Sequence, residues 1–231
     1  MSNEGNDSSY NLVQSILGAL GVRRPGLKYQ KTLDLIAIQP LLPDLEKLTE
    51  LAEKNSYGGN YSNIIFGYLI ERLSDRNKGL RESSAYLLGR IGDSTVTPEL
   101  ITRLQVEKQI NVKIRLIEAL GMLKAKEARH LILNSLKDRN WKIRRSAIEA
   151  LEEIGDPNIG NILIKVLKND KESFVRATAA NAIGRNGSQQ WNHELSEIFE
   201  NERDEEVKLS IAEALNILGD HRLLNLYLQE D

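Results

Sequence analysis

The chain has no cysteine in its 231 residues. That removes disulfides, thiolate nucleophiles and cysteine-bound metal together, and fits a reducing compartment. It lacks a dominant charge sign. Lys and Arg number 31 against 33 Asp and Glu, a net charge of −2. A partner held by bulk electrostatics, such as duplex DNA, is therefore disfavoured. No apolar run approaches the roughly 18 residues needed to span a bilayer. The start, MSNEGNDSSYNLV, is polar and acidic, not basic before an apolar run, so no secretory signal is expected. There is no Gly-rich phosphate loop and no G-x-S-x-G turn. These absences predict a soluble cytoplasmic protein without a catalytic signature.

What is present is a repeated phrase. It occurs as LRESSAYLLGRIGD, VKIRLIEALGMLKA, IRRSAIEALEEIGD, VRATAANAIGRNGS and VKLSIAEALNILGD. With Gly89 as anchor, its equivalents are Gly121, Glu152, Gly184 and Asn216, spaced 32, 31, 32 and 32 residues apart. A fixed period of this size means stacked supersecondary units. Position −9 is Leu80, Val112, Ile143, Val175 and Val207. Position −4 is Ala85, Ile117, Ile148, Ala180 and Ala212. Position −1 is Leu88, Leu120, Leu151, Ile183 and Leu215, and position +2 is Ile91, Leu123, Ile154, Asn186 and Leu218. Offsets of 5, 3 and 3 share one face of a 3.6-residue helix. Position −2 is Leu87 and then Ala four times, small enough for close helix approach. Position +3 is Gly in four repeats and Lys124 in the other, a helix C-cap signal.

A partner helix is expected before each of these segments, over 62–73, 98–106, 127–136, 158–167 and 191–199, with a last one over 222–228. Pro98 and Pro157 suit helix starts. Nothing reads as a strand. The expected fold is all-α: a right-handed α-solenoid of helical hairpins over 61–231, about five repeats and a C-terminal capping helix. Residues 1–9 are expected to be disordered. Residues 10–60 are expected to form a helical N-terminal cap, with Tyr10–Leu20 amphipathic. A partner-docking or membrane-surface role is the other reading of that helix.

Position −8 is always basic: Arg81, Lys113, Arg144, Arg176 and Lys208. An acid lies six residues before each: Asp75, Glu107, Asp138, Asp170 and Glu202. Two readings compete, a basic stripe for an anionic ligand and a ladder of ion pairs across each intra-repeat turn. Because the acid recurs as faithfully as the base, the ladder is expected, with Asp138 pairing Arg144.

The pattern V-R-x-x-A-A-x-A-L-G-x-I-G-D, strongest in 81–93, 144–156 and 176–187, resembles the short HEAT-like repeat of the phycobilisome lyase family, from about Tyr61 onward. The resemblance implies a HEAT-like fold. The same repeat serves bilin lyases and bilin-protein chaperones, phycobilisome-degradation factors, and scaffolds unrelated to pigments. A phycobilin lyase or lyase subunit, with a bound bilin tetrapyrrole, is therefore the alternative function that it implies.

Catalytic, metal and cofactor residues are expected to be absent. His130, His193 and His221 fall in different repeats without metal-ligand spacing. His193-Glu194 resembles the pairs of HEAT-type iron hydroxylases, which need several. Trp141 and Trp191 read as packing residues. The informative positions are −7, −3 and +1 of the second helices, which face away from the core. They are Glu82, Tyr86, Arg90; Ile114, Glu118, Met122; Arg145, Glu149, Glu153; Ala177, Asn181, Arg185; and Leu209, Glu213, Ile217. Five acids against three arginines do not make a nucleic-acid groove. Apolar residues mixed with both charge signs predict that another protein binds here, and all but Ala177 are assigned to the partner-binding face. The expected function is a non-catalytic scaffold, adaptor or chaperone.

Overall fold

The computed structural model describes residues 67, 69–91, 94–156, 158–186 and 188–227. The chain divides into two compact units, Met1–Arg72 and Leu73–Asp231, and the helices below belong to the second. The expectations for residues 1–9, for the cap over 10–60 and for Tyr10–Leu20 lie outside the described residues.

The second helices of the five repeats are α1 (Lys78–Ile91), α3 (Ile110–Met122), α5 (Trp141–Ile154), α7 (Ser173–Asn186) and α9 (Glu205–Ile217). Between them run the first helices α2 (Thr97–Val106), α4 (Arg129–Ser135), α6 (Ile159–Asn169) and α8 (Asn192–Asn201), and α10 (Arg222–Tyr227) follows α9. Short 3-10 turns over Ser94–Val96, Lys126–Ala128 and Gln189–Trp191 lead into α2, α4 and α8. No strand occurs among the described residues, and no described helix is long and apolar enough to cross a membrane. The fold is an all-α solenoid.

Local chemistry sets the helix ends. Asn140 accepts the Lys142 N–H at the start of α5, and Asp204 accepts the Val207 N–H at the start of α9. Gly155 and Gly219 close their helices at φ 72° and 91°, in the left-handed region where a side chain is unfavourable. The one non-glycine at this position, Lys124, adopts it too, at φ 51°.

The core follows the columns. Positions −4 and −1 are buried in all five repeats, and position −9 in all but Leu80. Position −5, which the sequence reading did not single out, is buried throughout: Ser84, Leu116, Ala147, Ala179 and Ile211. Position +2 is weaker. Ile154 and Leu218 are buried, Leu123 is half-buried and Asn186 is exposed.

The second helices stack directly on one another, whereas the first helices barely touch each other. The cause is visible in two columns. A Cβ on Gly89 would lie 2.7 Å from Ala119 Cα, one on Gly121 2.9 Å from Ala150 Cα, and one on Gly184 2.9 Å from Ala214 Cα. Each anchor glycine thus faces the position −2 alanine of the next repeat, and neither can grow without parting the helices. We term this second-helix side, where the repeats pack most tightly, the inner face. The exception is Glu152, where α5 and α7 meet over fewer residues than the other stacked pairs.

Candidate partner-binding face

The intra-repeat turns position the inner helices, and their polar network corrects the expected ladder. Arg144 does not pair with the carboxylate of Asp138. Its Nε and Nη2 donate to Asp170, in the next repeat, at 2.6 and 2.7 Å, while Nη1 donates to the backbone carbonyl of Asp138 at 3.0 Å. Arg81 does the same with Glu107 and the Asp75 carbonyl, and Arg176 with Glu202 and the Asp170 carbonyl. Lys113 reaches Asp138 at 3.3 Å. The bond therefore runs between repeats, not across one turn. An arginine in the first turn of a second helix spans its own loop and reaches the following layer.

Each acid also holds its own turn. Asp138 accepts the Asn140 N–H, Asp170 the Glu172 N–H, and Glu107 the N–H groups of Lys108 and Gln109. Burial opposes charge on Glu107, but the Arg81 hydrogen bond, with the loop amides and Arg103, prevails and holds its carboxyl at about 2. Arg144 is raised, chiefly by its hydrogen bond to Asp170 against the cost of burial. With Arg81, Lys113, Arg144 and Arg176 engaged in this way and Lys208 paired with Glu205 of its own helix at 3.2 Å, position −8 is not an open anionic site.

On the inner face none of the fourteen expected partner-binding residues is buried. Arg90, Met122, Arg145, Glu153, Arg185, Glu213 and Ile217 are exposed, and the other seven, Glu82, Tyr86, Ile114, Glu118, Glu149, Asn181 and Leu209, are half-buried. Ala177, at position −7, is buried. Many of the charges pair along the surface. Arg115 donates to Glu118 at 2.9 Å, lies 3.7 Å from Glu82 and sits 5.5 Å from the Tyr86 ring centroid. Arg145 donates to Glu149 at 2.9 Å, and Arg185 grips Glu152 at 2.5 and 2.7 Å. The structure brings Tyr86 and Met122 to adjacent repeats on one face, with the Met122 sulfur over Gly89. Met122 and Ile217 are the exposed large apolar residues of this face, at 44% and 61%.

Trp191 lies across Gly160, and Trp141 stacks on Phe174 with ring centroids 5.6 Å apart. Both indoles therefore pack. His193 is exposed on α8, and Glu194 is taken by Lys168.

One column escaped the sequence reading. The residue after each ladder acid is basic: Arg76, Lys108, Arg139, Lys171 and Arg203, all exposed. It occupies position −13, directly after the ladder acids, and its period is readable in the sequence.

A family profile described as HEAT repeats matches residues 97–182 and again 160–226. No curated protein matches the chain. Among solved structures, an engineered protein superposes with a TM-score of 0.50 at 16% identity, over 90% of this chain and 97% of that one. The complex of CpcE and CpcF of phycocyanin lyase from Nostoc sp. PCC7120 gives 0.45 at 20% identity, over 90% and 83%. A designed armadillo repeat protein gives 0.43 at 16% identity, over 83% and 100%.

Proposed function

The chain belongs to the HEAT-repeat family, and from that premise we propose that it is a non-catalytic protein-binding scaffold, adaptor or chaperone. The supporting observation is the inner face. Tyr86, Met122 and Ile217 are accessible there beside Arg90 and Arg185, while the core columns lie beneath. Aromatic, methionine and arginine side chains on a rigid surface are the usual makings of a hot spot. Stacked repeats hold such a surface without help from a ligand. The bilin-lyase alternative rests on the repeat phrase alone.

The test is capture of partners from native lysate by three proteins in parallel. Tyr86→Ala with Met122→Ala is expected to lose the partner while keeping the helical spectrum and melting temperature, since the columns at −9, −5, −4 and −1 are untouched. Lys165→Ala, exposed on α6, is expected to keep it. Full-strength capture by the double variant, with loss in Lys165→Ala, places the interface on the outer face and sinks this reading.

A further inference from the structure

The exposed basic column marks a second surface, on the edge formed by the intra-repeat turns. Those turns read Asp75-Arg76-Asn77, Glu107-Lys108-Gln109, Asp138-Arg139-Asn140 and Asp170-Lys171-Glu172. In each, the acid folds back onto its own amides, and from the second turn onward it also binds the base of the preceding repeat. The base that follows projects to solvent. Exposed Lys78, Lys137 and Lys142 lie on or beside the same turns, while Glu107 is buried and Asp75, Asp138 and Asp170 are half-buried; the one acid that stays outward in these turns is Glu172, 3.8 Å from Lys171, so the fourth turn is the least positive. The outward charge of the first four turns is therefore positive, although the chain as a whole is slightly negative. The fifth turn breaks the pattern. Arg203 is followed by the capping Asp204 and by exposed Glu205 and Glu206.

The same edge carries apolar surface. Val106 and Ile110 flank Lys108 and are 59% and 43% exposed, and Phe174, three residues after Lys171, is 52% exposed. Three of the five large exposed hydrophobic residues described thus gather where the bases do. An edge with one base per layer and aliphatic or aromatic patches between complements a chain that alternates acid and apolar side chains. Layers about 10 Å apart match about three residues of extended peptide, at roughly 3.3 Å each. A nucleic-acid strand fits less well. Phe174, stacked on Trp141, gives one exposed ring at one layer, whereas Val106 and Ile110 offer no ring face for a base, so the edge lacks the repeated stacking platforms a strand would use.

We propose that the edge of the first four turns docks an extended acidic segment of a protein partner, its acids on Arg76, Lys108, Arg139 and Lys171 and its apolar side chains on Val106, Ile110 and Phe174. This surface is separate from the inner face, and either can fail without the other.

Fluorescence anisotropy tests the proposal on the full chain. The probes are a labelled twelve-residue peptide with Glu at every third position and Leu or Phe between, the same peptide with Gln for Glu, and a labelled oligo-dT. The Glu peptide is expected to bind at least about tenfold more tightly than the Gln peptide, and to weaken as salt rises. Arg76→Glu with Arg139→Glu is expected to lose about tenfold or more, while Tyr86→Ala with Met122→Ala loses nothing. No binding of the Glu peptide below about 1 mM overturns the proposal, as does equal binding of the two peptides. Tighter binding of oligo-dT, lost in the same reversal variant, assigns the edge to nucleic acid instead. A reversal variant that melts lower yet binds the peptide normally shows that these bases only serve the C-terminal dipoles of the first helices, and overturns it too.

Discussion

Removing Arg144 tests the inter-repeat ladder most directly. Its side chain is 7% exposed and that of Asp170 9%, and the pair is bidentate. Nη1 also donates to the carbonyls of Asp138 and Arg139, at 3.0 and 3.2 Å. Arg144→Ala therefore leaves a nearly buried carboxylate and two carbonyls without this donor. Breaking such a buried pair costs about 3–5 kcal/mol, and the lower end is expected because Asp170 keeps the Glu172 N–H. In urea unfolding followed by helical circular dichroism, the cycle of Arg144→Ala with Asp170→Ala should show coupling of about 1.5–3 kcal/mol. The cycle of Arg144→Ala with Asp138→Ala should show less than about 0.5 kcal/mol. Asp138 meets Arg144 through its backbone carbonyl, which alanine retains, while its carboxylate serves Asn140 and Lys113. Because solenoids can open repeat by repeat, hydrogen exchange of the turn amides gives the local reading beside the global one. Larger coupling to Asp138 than to Asp170 would refute the inter-repeat ladder and restore pairing across a single turn.

Two further outcomes are expected. The Glu107 carboxyl lies at about 2 against an ordinary 4.5, so its ionised form stabilises the fold above about pH 4.5 and that contribution is lost as pH falls from 4.5 toward 2; Glu107→Gln should lower the urea midpoint at pH 7 and narrow its drop between pH 5 and pH 3, and an unchanged drop refutes the assignment. Lys124→Gly relieves a left-handed residue and should raise the melting temperature by about 1–3 °C after the added freedom of the unfolded chain is offset, whereas Gly155→Ala, at φ 72°, should lower it; the same sign for both substitutions would contradict the shared cap geometry.

The period and the columns were legible because every repeat buries the same face, so apolar identity survives at −9, −4 and −1 whatever the surface does. The pairing of the ladder was not. A sequence shows that an acid precedes each base by six residues, but the helical rise between layers decides which acid a long arginine side chain can reach. In the structure the acid 26 residues ahead wins, because Arg144 points along the stack and its own turn offers carbonyls instead. Position −5 escaped because its residues range from Ser84 and Ala147 to Leu116 and Ile211, and a mixed column shows no apolar signature. The alanine column at −2 read correctly as a site of close approach, yet its glycine partner one repeat earlier appears only once the layers are stacked.

Glu152 links this packing to the proposed function. It occupies the anchor position where three other repeats have glycine, and a side chain there cannot fit against Ala182 as Gly89 fits against Ala119. The helices α5 and α7 accordingly meet over fewer residues. The exposed ion pair of Glu152 with Arg185 does not compensate, since such pairs contribute about 0–1 kcal/mol. The substitution therefore weakens the stack at its middle and places charge on the inner face. Arg145, Glu149, Glu153 and Arg185 surround that point, with Tyr86, Ile114 and Met122 on one side of it and Leu209 and Ile217 on the other. A partner that uses the inner face must then present two apolar anchors about 25–30 Å apart, the three helix spacings from α3 to α9, with polar or charged residues between them. A partner with one compact hydrophobic plug would bury the charged middle without matching it, at a cost of several kcal/mol. Under the proposed function, the inner face then selects against such a partner as well as for an elongated one.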